Sequence, residues 1–228
     1  MALGHPRRSP GRNGVREPGP APMPPHCLCG SVPLSCFARA LSVGAGSVSG
    51  VMVGTEESRL VVLRGNSASG KSSVAAALRE RFGRGLAIVG QDNLRRIVLR
   101  ERDRPGAANI GLIDLTARYA LNAGYHVVVE GILYADHYGD MLTRLRADHR
   151  GRTHGYYLDV PFDETLARHA TKPIADDVNE TQLRDWYRPR DLLPDRLETV
   201  IGADCSVHEI VDRIMGDTGL AHMPALDR

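Results

Sequence analysis

The run Gly65-Asn66-Ser67-Ala68-Ser69-Gly70-Lys71-Ser72 satisfies G-x-x-x-x-G-K-[ST] at every position. Residues of these types at this spacing hold phosphate. Glycines at the two fixed positions let the backbone curl until its N–H groups point inward at phosphate oxygens. A helix opening at the lysine adds the positive end of its dipole. Lys71 would reach the β- and γ-phosphates and Ser72 would hold Mg2+. Gly65 through Ser72, with Ser73 beside them, therefore form a candidate nucleotide cradle. The flanks agree with this: an apolar run, Leu60-Val61-Val62-Leu63, precedes it. Lys71 to Phe82 follows with Val74, Leu78 and Phe82 at helical spacing.

Two carboxylates come next. Asp92 stands in Val89-Gly90-Gln91-Asp92-Asn93-Leu94, just after a second apolar run, and Glu130 closes a third, His126-Val127-Val128-Val129. Ligands of open α/β sheets sit at the carboxyl ends of strands. A carboxylate there can accept the proton of an acceptor hydroxyl or orient a metal-bound water. For Asp92 the competing role is an N-cap on the next helix. An ionised Glu130 ending so apolar a strand needs a partner, and Mg2+ shared with Ser72 supplies one. Phosphoryl transfer also needs cations and often a closing lid. The stretch Arg168, His169, Lys172, Arg184, Arg188 and Arg190, interrupted by the polar, proline-broken Thr171 to Asp177, fits that need. Arg168 is a candidate for catalysis and, with Lys172, for nucleotide binding. Asp92, Glu130, Arg95, Arg184 and Arg188 are candidates for holding the acceptor. Arg95 and Arg96, then Arg100, Arg102 and Arg104, either face that acceptor or form a solvated helix face. Trp186 and Tyr187 either line its pocket, anchor the lid or pack in the core.

The elements that must position these groups alternate. Strands are expected at Leu60–Leu63, Leu86–Val89, His126–Glu130, His154–Val160 and Glu198–Ile201. Helices are expected at Lys71–Phe82, Asn93–Arg102, Ile110–Asn122, Tyr138–His149 and Phe162–Ala170, and from Ser206 to Met215 behind the capping box Ser206-x-x-Glu209. Asn93–Arg102 reads as a basic amphipathic helix carrying Leu94, Ile97 and Val98. Near-continuous apolar strands separated by helices predict a parallel sheet covered on both faces.

Across residues 59–216 the pattern resembles the small P-loop kinases of the nucleoside-monophosphate-kinase-like group. The stretch Gly90-Gln91-Asp92-Asn93-Leu94 is similar to the aspartate element of chloramphenicol phosphotransferases and zeta-toxin-type kinases, where the matching aspartate is the general base. The resemblance implies an α/β three-layer sandwich around a five-stranded parallel sheet of order 2-3-1-4-5. It implies ATP with Mg2+ and transfer of the γ-phosphate to a hydroxyl of a nucleoside, a sugar derivative or an antibiotic. The alternative is a P-loop ATPase or nucleotide-binding regulatory protein without a small-molecule acceptor. An N-K-x-D base-recognition element and an aspartate-bearing Walker B strand are both absent from the sequence, against a GTPase and a motor-type ATPase respectively.

Composition separates the first 54 of the 228 residues from the rest. They hold eight of the 14 prolines and five arginines against one acid. Such material buries too little apolar surface to offset chain entropy, so it is expected to be a disordered extension, or an artefact upstream of a start at Met52. Residues 55–218 are the expected kinase domain and 219–228 a flexible tail. The chain's net charge of +2 divides into +4 for the extension and −2 for the remainder. The basicity therefore lies outside the domain, and tight polynucleotide binding is not expected. Cys27, Cys29 and Cys36 lack the paired spacing of a zinc site, and Cys205 stands alone in the domain. A reducing cytoplasm is the expected compartment. Without a run of 18 apolar residues, no membrane partner is expected.

Overall fold

The structure is a computed structural model that describes residues 51–170 and 179–226. Most of the expected extension, and residues 171–178 of the expected lid with Lys172 among them, lie outside the described residues. Strands β1 (Arg59–Gly65), β2 (Leu86–Gly90), β3 (His126–Gly131), β4 (Arg152–Asp159) and β5 (Glu198–Gly202) form one sheet. Its order is β2-β3-β1-β4-β5 and every ladder is parallel, as expected. The helices are α1 (Lys71–Phe82), α2 (Ala108–Asn122), α3 (Ala135–Asp148), α4 (Phe162–Ala170), α5 (Glu180–Trp186) and α6 (Val207–Thr218). No helix among the described residues is long and apolar enough to cross a membrane.

Side chains alternate across a strand, so each strand feeds two cores. Val61, Leu63, Val128 and Tyr156 pack with Val74, Leu78, Ile210 and Ile214 of α1 and α6. Leu60, Val62, Val127 and Val129 pack with Ile113, Leu121, Met141 and Leu145 of α2 and α3. Covering both faces explains why β3 is buried at every position and why the strands read as apolar runs. The Ser206–Glu209 capping box forms as expected, and α6 stops at Gly219, φ +76°.

Three features depart from the sequence reading. First, Asn93–Val98 is a π-helix, and the regular helix does not continue to Arg102. Leu99 N–H donates to Leu94 C=O, and Ile97 and Val98 are exposed. The physical reason lies in Glu101, whose carboxylate accepts from the Ala108 and Asn109 N–H groups at 3.0 and 2.9 Å. These bonds, the Asn109 backbone one above all, lower its pKa. Glu101 thus satisfies donors left over at the start of α2, pulling its own segment out of helix. Second, α5 arises within the expected lid, opened by an Asn179–Gln182 capping box. Third, Arg64 on β1 is fully buried. Its guanidinium donates to both Glu198 carboxylate oxygens at 3.0 and 2.9 Å, to Asp191 at 2.9 Å and to Leu133 C=O at 2.8 Å. Asp191 also accepts from Ala135 N–H at 2.9 Å. This network pins the segment after α5 to the sheet and to the start of α3.

Candidate active site

The cradle follows from two tight approaches and one left-handed turn. Gly65, φ +147°, lies where a Cβ would stand 2.6 Å from Leu158 C=O, and Gly70, φ +102°, turns the chain into α1. A Cβ at Gly90 would stand 2.9 Å from a Glu130 carboxylate oxygen, so this glycine leaves room for that side chain. Lys71 is buried, and its ammonium donates to Asn66 C=O at 2.6 Å and to Ser69 Oγ at 3.2 Å. Ser72 Oγ donates to Glu130 Oε2 at 3.1 Å. Lys71, Ser72, Glu130 and Asp92 line a cavity of about 100 Å3 together with Ser67, Ala68, Gly70 and Ser73.

The Ser72 hydroxyl and the Glu130 carboxylate, in contact, are hard oxygen donors of the kind Mg2+ takes. That ion keeps waters and substrate phosphates as its other ligands, so it needs no cage of acids. Among the described residues no group of three or more His, Cys, Asp or Glu could hold a metal. The residues present fit Mg2+ bound with a nucleotide.

Asp92 flanks the π-helix, but its side chain makes no capping hydrogen bond. It points outward with 64% of its side-chain surface exposed, accepting from Arg95 at 2.9 Å, with Arg96 at 3.9 Å. Asp92 also lines a second, larger cavity of about 500 Å3. Arg95 and Arg188 line this cavity too, with Trp186, His137 and Asp103. Arg188 pairs with Asp136 at 2.7 Å and lies over the Tyr134 ring at 4.0 Å. Tyr134 donates its hydroxyl to Trp186 C=O at 2.7 Å, and burial foremost pushes its pKa up to about 12.

Two candidates sit elsewhere. Arg168 lies on the flank of the cradle, ion-paired with Glu164 and donating to Ser69 C=O at 3.3 Å. There it lines a cleft of about 330 Å3 with Cys205, Ser206 and Val207. Arg184 is exposed, paired with Glu180 at 2.9 Å and set over the Phe162 ring at 4.4 Å. It lines none of these cavities.

Sequence reasoning missed two sets of side-chain contacts. The Asn66 side chain accepts from Arg188 N–H at 2.9 Å and donates to Arg188 C=O at 2.8 Å, clamping the cradle to the arm that carries Arg188. Asn66 was visible only as a backbone position of the motif. Behind the larger cavity, Gln91 donates to Asp103 at 2.9 Å and to the Tyr138 hydroxyl at 2.8 Å. The His137 ring lies 3.2 Å from Asp103. Gln91 stood in the noted motif, whereas Asp103 and His137 come from segments without any local signal.

No protein-family model matches this chain, and neither does any curated protein compared with it. Solved structures do match it. The APS kinase CysC of Mycobacterium tuberculosis, in complex with AMPPNP and APS, is similar with a TM-score of 0.57 and 19% identity over 75% of this chain and 99% of that one. The tunicamycin resistance protein of Deinococcus radiodurans gives 0.54 and 19% identity over 74% and 99%. A gluconokinase of Sinorhizobium meliloti gives 0.50 and 18% identity over 74% and 94%. The likeness is one of architecture: this chain has the α/β fold of the P-loop kinases.

Proposed function

We propose that the chain is an ATP-dependent phosphotransferase that moves the γ-phosphate to a hydroxyl of a small molecule in the larger cavity. The observation that carries this reading is the position of Asp92. It lines both the small cavity of Lys71, Ser72 and Glu130 and the larger one beyond. A group shared by a phosphate site and a roomy neighbouring cavity is where a base for in-line transfer belongs. The fold likeness to proteins described as an APS kinase and a gluconokinase supports the same reading.

In the mechanism the backbone N–H groups of Ser67 to Ser72 and the Lys71 ammonium hold the phosphates. Lys71 exchanges its Asn66 and Ser69 partners for phosphate oxygens. Ser72 and Glu130 would hold Mg2+, which would supply positive charge against the phosphates. Asp92 accepts the acceptor's hydroxyl proton as its oxygen bonds to the γ-phosphorus. The bond from that phosphorus to the β–γ bridging oxygen breaks, ADP leaves, and Asp92 later returns the proton to water. Arg168, beside the loop, faces the cleft suited to the nucleotide's remainder.

The test is transfer from γ-labelled ATP to hydroxyl-bearing metabolites, with Asp92→Asn alongside. The substitution keeps the shape of the side chain and removes the base. We expect labelled product to fall about 10²- to 10⁴-fold, with ATP affinity unchanged within about threefold. Hydrolysis without transfer to any acceptor, undiminished in Asp92→Asn, would overturn the reading.

A further inference from the structure

We infer that two copies of this chain pair through α2, antiparallel about a two-fold axis, with Tyr119 of each copy seated in a groove on the other. Five of the eight exposed large hydrophobic side chains among the described residues belong to two neighbouring elements: Ile97 and Val98 of the π-helix with Leu99 just after it, and Leu115 and Tyr119 of α2. A helix in a layered fold needs one apolar stripe, and α2 already has it in the buried Ile113, Ala117 and Leu121. A second stripe, Ala108, Gly111, Leu115 and Tyr119, recurs at three- and four-residue spacing on the exposed side. Leu115 and Tyr119 keep 65% and 76% of their surface exposed. The Tyr119 side chain has no hydrogen-bond or ring partner among the described residues. Gly111 is also unexplained within the chain. A glycine inside a helix is destabilising relative to alanine. A Cβ there would meet nothing within 4 Å, so no described neighbour requires the glycine. A second helix crossing close to this point does.

The two ends of the stripe indicate what covers it. At its amino end, Leu99 and Ala108 line a groove of about 430 Å3 with Arg100, Glu101, Arg102 and Arg104. Glu101 is engaged by the Ala108 and Asn109 N–H groups, and the three arginines form no ion pair among the described residues. At its carboxyl end stands Tyr119, a large ring without a seat. Knob and hole thus lie on one face of one helix, about 16 Å apart along its axis. In a two-fold interface the same patch meets itself, so both halves of the fit must be present on it. An antiparallel second α2 brings Tyr119 over the partner's Ala108 and Leu115 against the partner's Leu112. It also brings Thr116 against the partner's Gly111, where the missing Cβ permits the close approach. Guanidinium groups are attracted to the face of a tyrosine ring. Unpaired charge near the axis would meet its like and oppose pairing. Here Arg118 bonds Asp114 at 2.9 Å and Asp148 at 2.8 Å, and Thr116 donates its hydroxyl to Leu112 C=O at 2.7 Å. Arg102 also lines the larger cavity, so interface and cavity share a wall.

The experiment is sedimentation equilibrium of the full chain over a range of concentrations. We expect a dimer that dissociates on dilution. Tyr119→Arg sets a cation against the arginines of the groove and should raise the dissociation constant at least about 100-fold. Tyr119→Glu loses the ring but meets those arginines with opposite charge, and its effect should be about tenfold smaller. Leu115→Glu, a second change at an exposed position, should raise the constant at least about tenfold. Gly111→Ala separates pairing from folding. It should weaken the dimer about tenfold, yet raise the thermal midpoint in the monomeric Tyr119→Arg background, where only helix propensity acts. A monomer at every concentration, with the face bare or covered by the chain's own residues 1–50, would overturn the proposal. A dimer that survives both Tyr119→Arg and Leu115→Glu would do the same, as would equal losses in Tyr119→Arg and Tyr119→Glu or a Gly111→Ala dimer as tight as the natural one. All of these outcomes leave the phosphotransferase reading standing, which the Asp92→Asn assay tests separately.

Discussion

Lys71 sits buried within eight consecutive residues that make almost the whole of the proposed phosphate cradle, while Asp92, one strand away, holds an exposed carboxylate against a π-helix. The cradle is local: its curvature comes from Gly65 and Gly70, and its lysine bonds its own loop. The larger cavity, where we propose the acceptor binds, is assembled: Ser67, Asp92 to Asp103, Ile132 to His137 and Asp185 to Arg188 reach it from four separate segments. A phosphate group is the same in every nucleotide, so one rigid backbone curl serves it. An acceptor must be chosen, and choice is made by side chains on segments that can vary without disturbing the sheet.

The largest expected effect breaks the local half. Lys71→Ala removes the cation aimed at the phosphates and should lower transfer about 10³-fold, with a parallel loss of ATP affinity in a nucleotide-binding titration. An unchanged affinity would place the phosphates outside the cradle and end the contrast between the two regions.

The same contrast explains what was legible in the sequence. The strands and most helices are periodic or contiguous signals, so the five strands and α1 agreed with expectation, while the sheet order came from the family resemblance. The π-helix was not legible, because Leu94, Ile97 and Val98 carry ordinary helical spacing. What diverts that segment is Glu101 bonding forward to Ala108 and Asn109. Arg64 likewise reads as the end of an apolar strand until Asp191 and Glu198, more than a hundred residues on, supply its counter-charge. The Asn66–Arg188 clamp spans a similar distance. Long-range polar pairs leave no local pattern, and the acceptor side is made mostly of them.

That clamp offers a sharper test, because it joins the two halves. Asn66→Ala deletes two hydrogen bonds to the Arg188 backbone while leaving the cradle's glycines and lysine in place. With a transferable acceptor in hand, its KM should rise about tenfold, while the KM for ATP moves less than about threefold. The reverse split, ATP weakened and acceptor untouched, would mean that Asn66 serves the cradle alone and that the halves are independent.

The smallest expected effect separates two arginines that the sequence cannot tell apart. Arg184 and Arg188 lie one helical turn apart in number, and both read as lid cations. Yet α5 ends at Trp186, so they do not share a face. Arg184 remains on the helix with 64% of its side chain exposed, held by Glu180 and Phe162. Arg188 follows the helix and enters the larger cavity over Tyr134. An exposed pair four residues apart contributes only about 0.3–0.5 kcal/mol to stability. Arg184→Ala should therefore change transfer less than about twofold and leave both KM values in place, whereas Arg188→Ala raises the acceptor KM about tenfold. Equal losses in the two variants would show that α5 moves its exposed face onto the substrate during turnover, and would make the assembled half larger than the cavity lined by Arg188.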